Sequence, residues 1–511
     1  MTARNSTGII MPVERECWNR QTGTFEVRVS LTYGFKSRLA HQILYPELLE
    51  ESSGYFFIIH DPQGGITMAI TLPETFAHRM KEMLGEEFPA FLAAYEQPHL
   101  KGVRANPLKC APETLQKAMS GLRPSPFSPL CFYSETEKVG TLPLHHAGAF
   151  YSQEPSASSA VTVLDPQPGE RVLDLCAAPG GKSTQIAACL MGEGLLWSNE
   201  IVRSRASILL SNMERMGVKN GVVSSCHPET LCSHLAGFFD KVLVDAPCSG
   251  EGMFRRDPQA VAEWSPEHVR ACADRQLAIL HSAKQAVREG GVLVYSTCTF
   301  SPEENEGVIR RFLEEEPGFV LEAPGVSFGR KADGMDAVRI YPMDGGEGHF
   351  AAKLRRVSKN PDFPGFQKLP PEKGEGFALA RALLKEIFNT PPEGALMQWG
   401  NRFTLLPREL PDCTGLGVLR AGVEVGEQKG KRMEPAHGLF MAARPEELRY
   451  CAVLNEVKTA AFLRGEELGL ELDAPNGSYV GVTVENVTVG YGKYSGGRLK
   501  NHYPKGLRNK K

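Results

Sequence analysis

Val172-Leu-Asp174-Leu-Cys176-Ala-Ala-Pro179-Gly-Gly-Lys182 decides the fold of this chain. Residues 171–175 form an apolar run of strand length, and the small, proline-broken residues after it cannot continue a strand. From Lys182 to Leu190 the pattern turns helical. The alternation repeats outward: residues 194–198, 221–224, 241–244 and 291–295 read as strands, and 204–216 and 267–288 as helices. Short apolar strands alternating with helices predict an α/β fold, a Rossmann-like doubly wound sheet that is mainly parallel. Ligands of such sheets sit at the carboxyl ends of the strands.

Three readings compete for the loop. Its end, Gly181-Lys182-Ser183-Thr184, matches the close of a phosphate-binding P-loop. That motif needs a glycine five positions before Gly181, where Cys176 stands. A dinucleotide fingerprint needs Gly-x-Gly-x-x-Gly, which is absent, and Pro179 breaks the spacing. The third reading is the first strand-end loop of a nucleoside-binding methyltransferase. There, small residues such as Ala177, Ala178, Gly180 and Gly181 let the backbone pass close to a ligand. An acid ending the next strand would hold ribose hydroxyls, and Asn199-Glu200 stands at that place. Tight strand-to-helix packing without a ligand is the bland alternative.

Two later strands end in cysteine loops. Cys248 lies in Val244-Asp-Ala-Pro-Cys-Ser-Gly250 and Cys298 in Tyr295-Ser-Thr-Cys-Thr-Phe300. Two thiols at two strand ends can face one pocket and suggest covalent chemistry beside a nucleotide-like cofactor. A thiolate is the reactive form, so such a cysteine needs a lowered pKa or a nearby proton acceptor. A free Cys is more often a small buried hydrophobe, but polar strand ends are where reactive thiols belong. Spacing alone does not say which thiol attacks. Cys226, His227, Cys232 and His234 lack a paired Cys-x-x-Cys, so no zinc or other metal site is expected.

The chain has 511 residues, 42% of them hydrophobic and 23% charged, with a net charge of −3. That length predicts several domains. The charge argues against a uniformly basic nucleic-acid coat but leaves room for a local basic patch. No apolar stretch is long enough for a bilayer, and the start lacks a signal-peptide pattern. Twelve scattered cysteines fit a reducing cytoplasm. Residues 1–67 read as a poorly ordered extension or a mis-called start, with a small β-rich appendage as the alternative. A well-formed protein is expected from Met68, where Leu72-Pro73-Glu74 opens a helix with Phe76, Met80, Met83 and Leu84 on one face. Residues 360–375 read as a linker.

With both cysteines and the loop in place, residues 68–508 resemble the Sun (Fmu) family of RNA cytosine-5 methyltransferases, and its RsmF-like bacterial rRNA branch. The resemblance rests on ordered matches: Arg104-Ala-Asn106, His145-His146, Gln153-Glu154-Pro155-Ser156, and Asp174 to Lys182. It continues through Asp245-Ala-Pro-Cys-Ser-Gly-Glu-Gly-Met-Phe-Arg-Arg-Asp257, Thr297-Cys298 and Glu303-Glu304-Asn305-Glu306. It ends on Tyr491-Gly-Lys493 and Leu499 to Arg508.

The resemblance implies an N-terminal RNA-binding domain at 68–150 and a methyltransferase domain at 151–357. A linker and small α/β domain at 358–425 and a PUA-like RNA-binding domain at 426–511 would follow. It implies S-adenosyl-L-methionine as cofactor, held by Cys176, Ala177, Ala178, Pro179, Gly180, Gly181, Lys182, Glu200, Arg205 and Asp245. It implies RNA as partner, most of all 16S ribosomal RNA or the small ribosomal subunit, and a monomer is expected. A tRNA methyltransferase and a non-catalytic RNA-binding assembly factor are the alternatives. Cys298 would be the nucleophile, Cys248 would assist release, and Asp245 would serve the base in its acid form. His227 stands where relatives carry an acid near the adenine. Arg255 and Arg256 beside the catalytic loop, and Lys493, Lys500 and Lys505 in the basic C-terminal run, are the expected RNA contacts.

Overall fold

The computed structural model describes residues 66–509 except 360–362, 364, 367, 370 and 409, with short strand segments at 17–18, 25–26 and 55–60. The chain forms two compact units, Met1–Met83 and Leu84–Lys511. In the first, Tyr55–His60 pairs antiparallel with Ile66–Leu72. Met68, expected to open the folded protein, thus lies inside a paired strand. Within the expected extension Cys17–Trp18 also pairs antiparallel with Phe25–Glu26, and its other residues fall outside the described ones. Helix Glu74–Leu84 follows Pro73 as predicted and buries Phe76, Ala77 and Met80.

The second unit is built on a ten-stranded sheet. Its strands are β1 Arg171–Asp174, β2 Leu195–Asn199, β3 Gly221–Ser224, β4 Phe239–Asp245 and β5 Val287–Thr297. Then come β6 Phe319–Glu322, β7 Arg330–Lys331, β8 Ala337–Ile340, β9 His349–Arg356 and β10 Val418–Ala421. The order is 7-8-9-5-4-1-2-3-10, with β6 on β9. Strands β1 to β5 are mutually parallel; β9 and β10 run antiparallel to their neighbours. Helices α1 Gly181–Leu190, α2 Arg203–Arg215, α3 Pro228–His234, α4 Pro266–Ala286 and α5 Glu306–Glu315 connect or flank them.

Strand residues alternate between two cores. Leu173, Trp197, Val244 and Leu293 enter one, and Val172, Leu196, Leu243 and Val294 the other. Period-2 alternation with both faces buried is the signature of a sheet covered on each side. Helix α4 begins at a strong start signal: Ser265 Oγ accepts from His268 N at 3.0 Å, with Pro266 in the first turn. It ends at Ala286 rather than the expected Arg288, because Val287 already pairs with Phe239. The strand order reverses between β1 and β4, so the loops after them diverge and open a crevice at the switch point.

The remaining sheets redraw the expected boundaries. The boundary at 150/151 cuts Phe150–Ser152, which pairs with Gly102–Ala105. The boundary at 425/426 cuts Val423–Lys429, which pairs on both sides. The segment expected as a small separate domain also lends β10 to the main sheet. Residues 103–150 and 452–503 share one hydrophobic core, with Val103, Phe132 and Phe150 packed among Phe462, Val482 and Leu499.

Candidate active site

A cavity of about 810 Å³ opens at the switch point, lined among others by Cys176, Ala178, Glu200, Arg205, Asp245, Cys248 and Cys298. The predicted residues Ala177, Pro179, Gly180, Gly181 and Lys182 shape the loop beside it. Gly180 has φ +114°, a conformation that requires glycine, and a Cβ there would stand 3.1 Å from Leu209 Cδ1, a tight contact. The loop's carbonyls are tied down from outside. Ala178 O accepts from Arg205 at 3.1 Å, Pro179 O from Asn212 at 2.9 Å and Gly181 O from Arg104 at 2.6 Å. Arg205 therefore joins the loop to Glu200, which it approaches to 3.3 Å.

Glu200 is nearly buried and accepts from Val202 N at 3.0 Å, leaving carboxylate lone pairs for hydroxyl donors. Behind the loop, Asp174 is fully buried and accepts from Ser183 Oγ at 2.6 Å, while its Oδ1 has no partner among the described residues. Burial pushes the Asp174 carboxyl up to about 7. A cavity-lining carboxylate with lone pairs to spare, an unpartnered carboxyl oxygen and a loop of small residues suit a nucleoside-bearing amino-acid cofactor. His227 lines the same cavity, and its Nδ1 accepts from Glu229 N at 3.3 Å.

The two thiols meet at the other end. Cys248 Sγ and Cys298 Sγ are 3.3 Å apart, each half-buried. The Cys248 thiol beside it holds Cys298 below the ordinary thiol range against the pull of burial, with Lys182 and Arg256 assisting and Asp245 opposing. Cys248 is pushed well above that range by Cys298, by burial and by the Glu304 carboxylate. Asp245 accepts from Lys182 Nζ and from Ser296 Oγ, each at 2.8 Å. Two donors therefore already engage the Asp245 carboxyl, one of them the Lys182 ammonium. Burial opposes the Lys182 charge, but Asp245 overrides it and raises the lysine.

The expected RNA contact at Arg255 is corrected. Arg255 is buried, ion-paired to buried Glu347 at 3.0 Å and bonded to the carbonyls of Gln97 and Pro98 at 2.9 Å each. Its charge faces an internal carboxylate. Arg256, one residue on, is exposed beside the thiols. Lys493 and Lys500 oppose each other across two strands, Lys493 above the Tyr479 ring at 5.0 Å, and Lys500 and Lys505 are exposed.

Sequence reasoning assigned no role to Asp174, Gln276, Glu304 or Asn305, although the Glu-Glu-Asn-Glu run at 303–306 was a legible signal. Among the described residues no group of three or more His, Cys, Asp or Glu is arranged to hold a metal ion, and no helix is long and apolar enough to cross a membrane.

Residues 161–355 match the family model of 16S rRNA methyltransferase RsmB/F, and 72–155 the N-terminal domain of 16S rRNA methyltransferase RsmF. Residues 382–442 match the RsmF rRNA methyltransferase first C-terminal domain, and 453–509 the methyltransferase RsmF PUA domain. The ribosomal RNA small subunit methyltransferase F of Aliivibrio fischeri is 31% identical over 464 residues, covering 86% of this chain and 98% of that one. That of Escherichia coli O17:K52:H18 is 32% identical over 467 residues, covering 86% and 97%. A solved methyltransferase homolog protein from Pyrococcus horikoshii is 28% identical at TM-score 0.50, covering 55% of this chain and 95% of that one. NSun6 from the same organism, solved with SFG, is similar in fold at TM-score 0.51 and 24% identity, covering 56% and 99%.

Proposed function

The chain belongs to the RsmF family of 16S rRNA methyltransferases, and on that footing we propose that it methylates carbon 5 of a cytosine in 16S rRNA through a covalent cysteine–cytosine adduct. The observation that carries this reading is the pair of thiols, 3.3 Å apart, lining the same cavity as Glu200 and Asp245. S-adenosylmethionine, the family's cofactor, supplies an electrophilic methyl group when bound. Glu200 would accept from the ribose hydroxyls, and the loop from Cys176 to Lys182, braced by Arg205, would hold the rest of the cofactor.

Carbon 5 of cytosine is a poor nucleophile until a thiolate adds to carbon 6. Cys298, held toward its thiolate by Cys248, Lys182 and Arg256, is the group able to add. Its sulfur lone pair forms the S–C6 bond, and the displaced electron pair makes carbon 5 enamine-like. The Lys182 ammonium, ion-paired to Asp245 at 2.8 Å, stabilises the charge that moves into the ring. At the end, the carbon 5 proton leaves to water, its electron pair rebuilds the C5–C6 double bond, and the S–C6 pair returns to sulfur. The protonated Cys248 thiol donates to that departing sulfur and favours free thiolate over adduct.

A target cytosine must be unstacked to reach this depth, at a cost of roughly a few kcal/mol. Arg256 at the mouth and the Lys493, Lys500 and Lys505 surface are the cations we assign to phosphate contacts that offset it. The test is bisulfite sequencing of 16S rRNA from cells lacking the protein, with restoration by purified protein and S-adenosylmethionine in vitro. A cytosine that loses and regains protection is the expected result. An unchanged map with methyl transfer to another position would refute carbon 5 as the target.

A further inference from the structure

The Glu303-Glu304-Asn305-Glu306 run has no role in the chemistry above, yet its two middle side chains are fully buried. Glu304 accepts from Ser249 N at 2.9 Å, from Ser249 Oγ, and from Gln276 Nε2 at 2.8 Å. The same Gln276 nitrogen donates to Pro247 O at 3.0 Å. Residues on both sides of Cys248 are therefore held from Glu304, directly or through Gln276. Asn305 accepts from Thr297 Oγ1 at 2.6 Å and donates to Thr299 O at 2.9 Å. Residues on both sides of Cys298 are therefore held from Asn305. Ser249 Oγ and Thr299 Oγ1, 2.9 Å apart, join the two loops. The flanking acids act elsewhere: Glu303 on Ser301 at 2.8 Å, and Glu306 on Arg339 at 2.7 Å.

We infer that Glu304 and Asn305 are positioning residues, one for each thiol: Glu304 sets the loop of Cys248 and Asn305 the loop of Cys298. The inference rests on the two-cysteine reading above. Glu304 bears a further mark of function. Its recorded partners are neutral, and a buried carboxylate without a cation is costly. A glutamine would fill the same space without that cost. The carboxylate's charge also helps keep Cys248 protonated, the form in which it donates to the leaving sulfur. Placing the two anchors on adjacent residues, at the entry to α5, couples the thiols through one rigid turn. A misplacement of a reacting group by about 1 Å costs on the order of a hundredfold in rate, so small errors in that turn would be felt.

The two anchors predict different defects. Glu304→Gln should slow multiple turnover about tenfold or more and accumulate a protein–RNA adduct on unmodified 16S rRNA, seen by denaturing gel. The rate at which this variant is trapped by 5-fluorocytidine-substituted 16S rRNA should stay within about threefold of wild type. Asn305→Asp, which keeps an acceptor for Thr297 but loses the donor to Thr299 O, should slow that trapping about tenfold without adduct on unmodified RNA. Ser249→Ala should follow the first pattern and Thr297→Val the second, so the inference stays testable if a buried variant fails to fold. A common defect at one step, or losses that track the melting temperature in all four, would overturn the inference. Failure of the wild-type protein to be trapped at all would instead overturn the covalent reading.

Discussion

The loops that end β4 and β5 both present a cysteine, and their sulfurs stand 3.3 Å apart. Their surroundings differ. Cys298 is shifted toward thiolate chiefly by its contact with Cys248, with Lys182 and Arg256 assisting and burial and Asp245 opposing. Cys248 is held as a thiol by the same contact and by burial, with the Glu304 carboxylate adding to both. Neither the residue type nor its place at a strand end separates the two; their contact with each other and their burial lead, and Lys182, Arg256 and Glu304 add to the division. A pair so divided can attack with one sulfur and ease that sulfur's departure with the other.

The largest effects should come from the thiols themselves. Cys298→Ala should abolish methylation, a loss of about a thousandfold or more, measured by label transfer to 16S rRNA from cells lacking the protein. Cys248→Ala should slow turnover and accumulate a covalent protein–RNA adduct on a denaturing gel. If the adduct appears with Cys298→Ala instead, the two roles are exchanged.

Lys182→Met removes a cation from the Cys298 side. Cys298 has a lowered pKa, so its reactive thiolate is lost only as pH falls through that lowered value. Without Lys182 the value rises, and the pH at which iodoacetamide alkylation of Cys298 is half-maximal should move upward. An unmoved profile would remove Lys182 from the comparison. Activity at neutral pH should fall about tenfold or more.

The neighbours Arg255 and Arg256 offer a second contrast at smaller scale. Arg255→Ala leaves Glu347 buried without its cation and should destabilise by about 3 kcal/mol, read as a lower melting temperature. Arg256→Ala should leave melting unchanged and weaken RNA binding a few fold, with a shallower salt dependence. Equal effects on melting would contradict the burial difference between them.

The smallest effect bounds the window in which the thiol titration can be read. His349, only 7% exposed, is lowered to about 3 chiefly by burial. It stays neutral in the folded protein while the unfolded chain binds a proton below about pH 6.5. Its contribution is therefore whole above that pH and is lost as pH falls toward 3, by up to about 1.4 kcal/mol per unit. Chemical denaturation at pH 7.5 and 5.5 measures it.

Much of the sheet is legible in the sequence because a strand end is a local event. At residues 171–182, and again at 241–250 and 291–300, an apolar run stops at small, polar or proline residues within a few positions. The five predicted strands lie within a few residues of β1 to β5. Arg255 shows where local reading stops. Its partner Glu347 is 92 positions away, and an arginine destined for an internal carboxylate is written like one destined for a phosphate. The core shared by residues 103–150 and 452–503 is illegible for the same reason, since neither half alone reveals an apolar face without a cover.

The sequence by itself determined the order of strands and loops, the glycine that its left-handed loop position requires, and the presence of two thiols and an acid at the sheet's carboxyl edge. These follow from backbone periodicity and side-chain size, which act over a few residues. Only the tertiary structure decided that the two sulfurs stand 3.3 Å apart, which arginine reaches the surface, and that Glu304 and Asn305 grip opposite cysteine loops. Those outcomes depend on charges and hydrogen bonds a few ångströms away in space, some supplied from the next turn of the chain, as by Asn305, and others by segments tens of residues distant, as for Glu304 and Arg255.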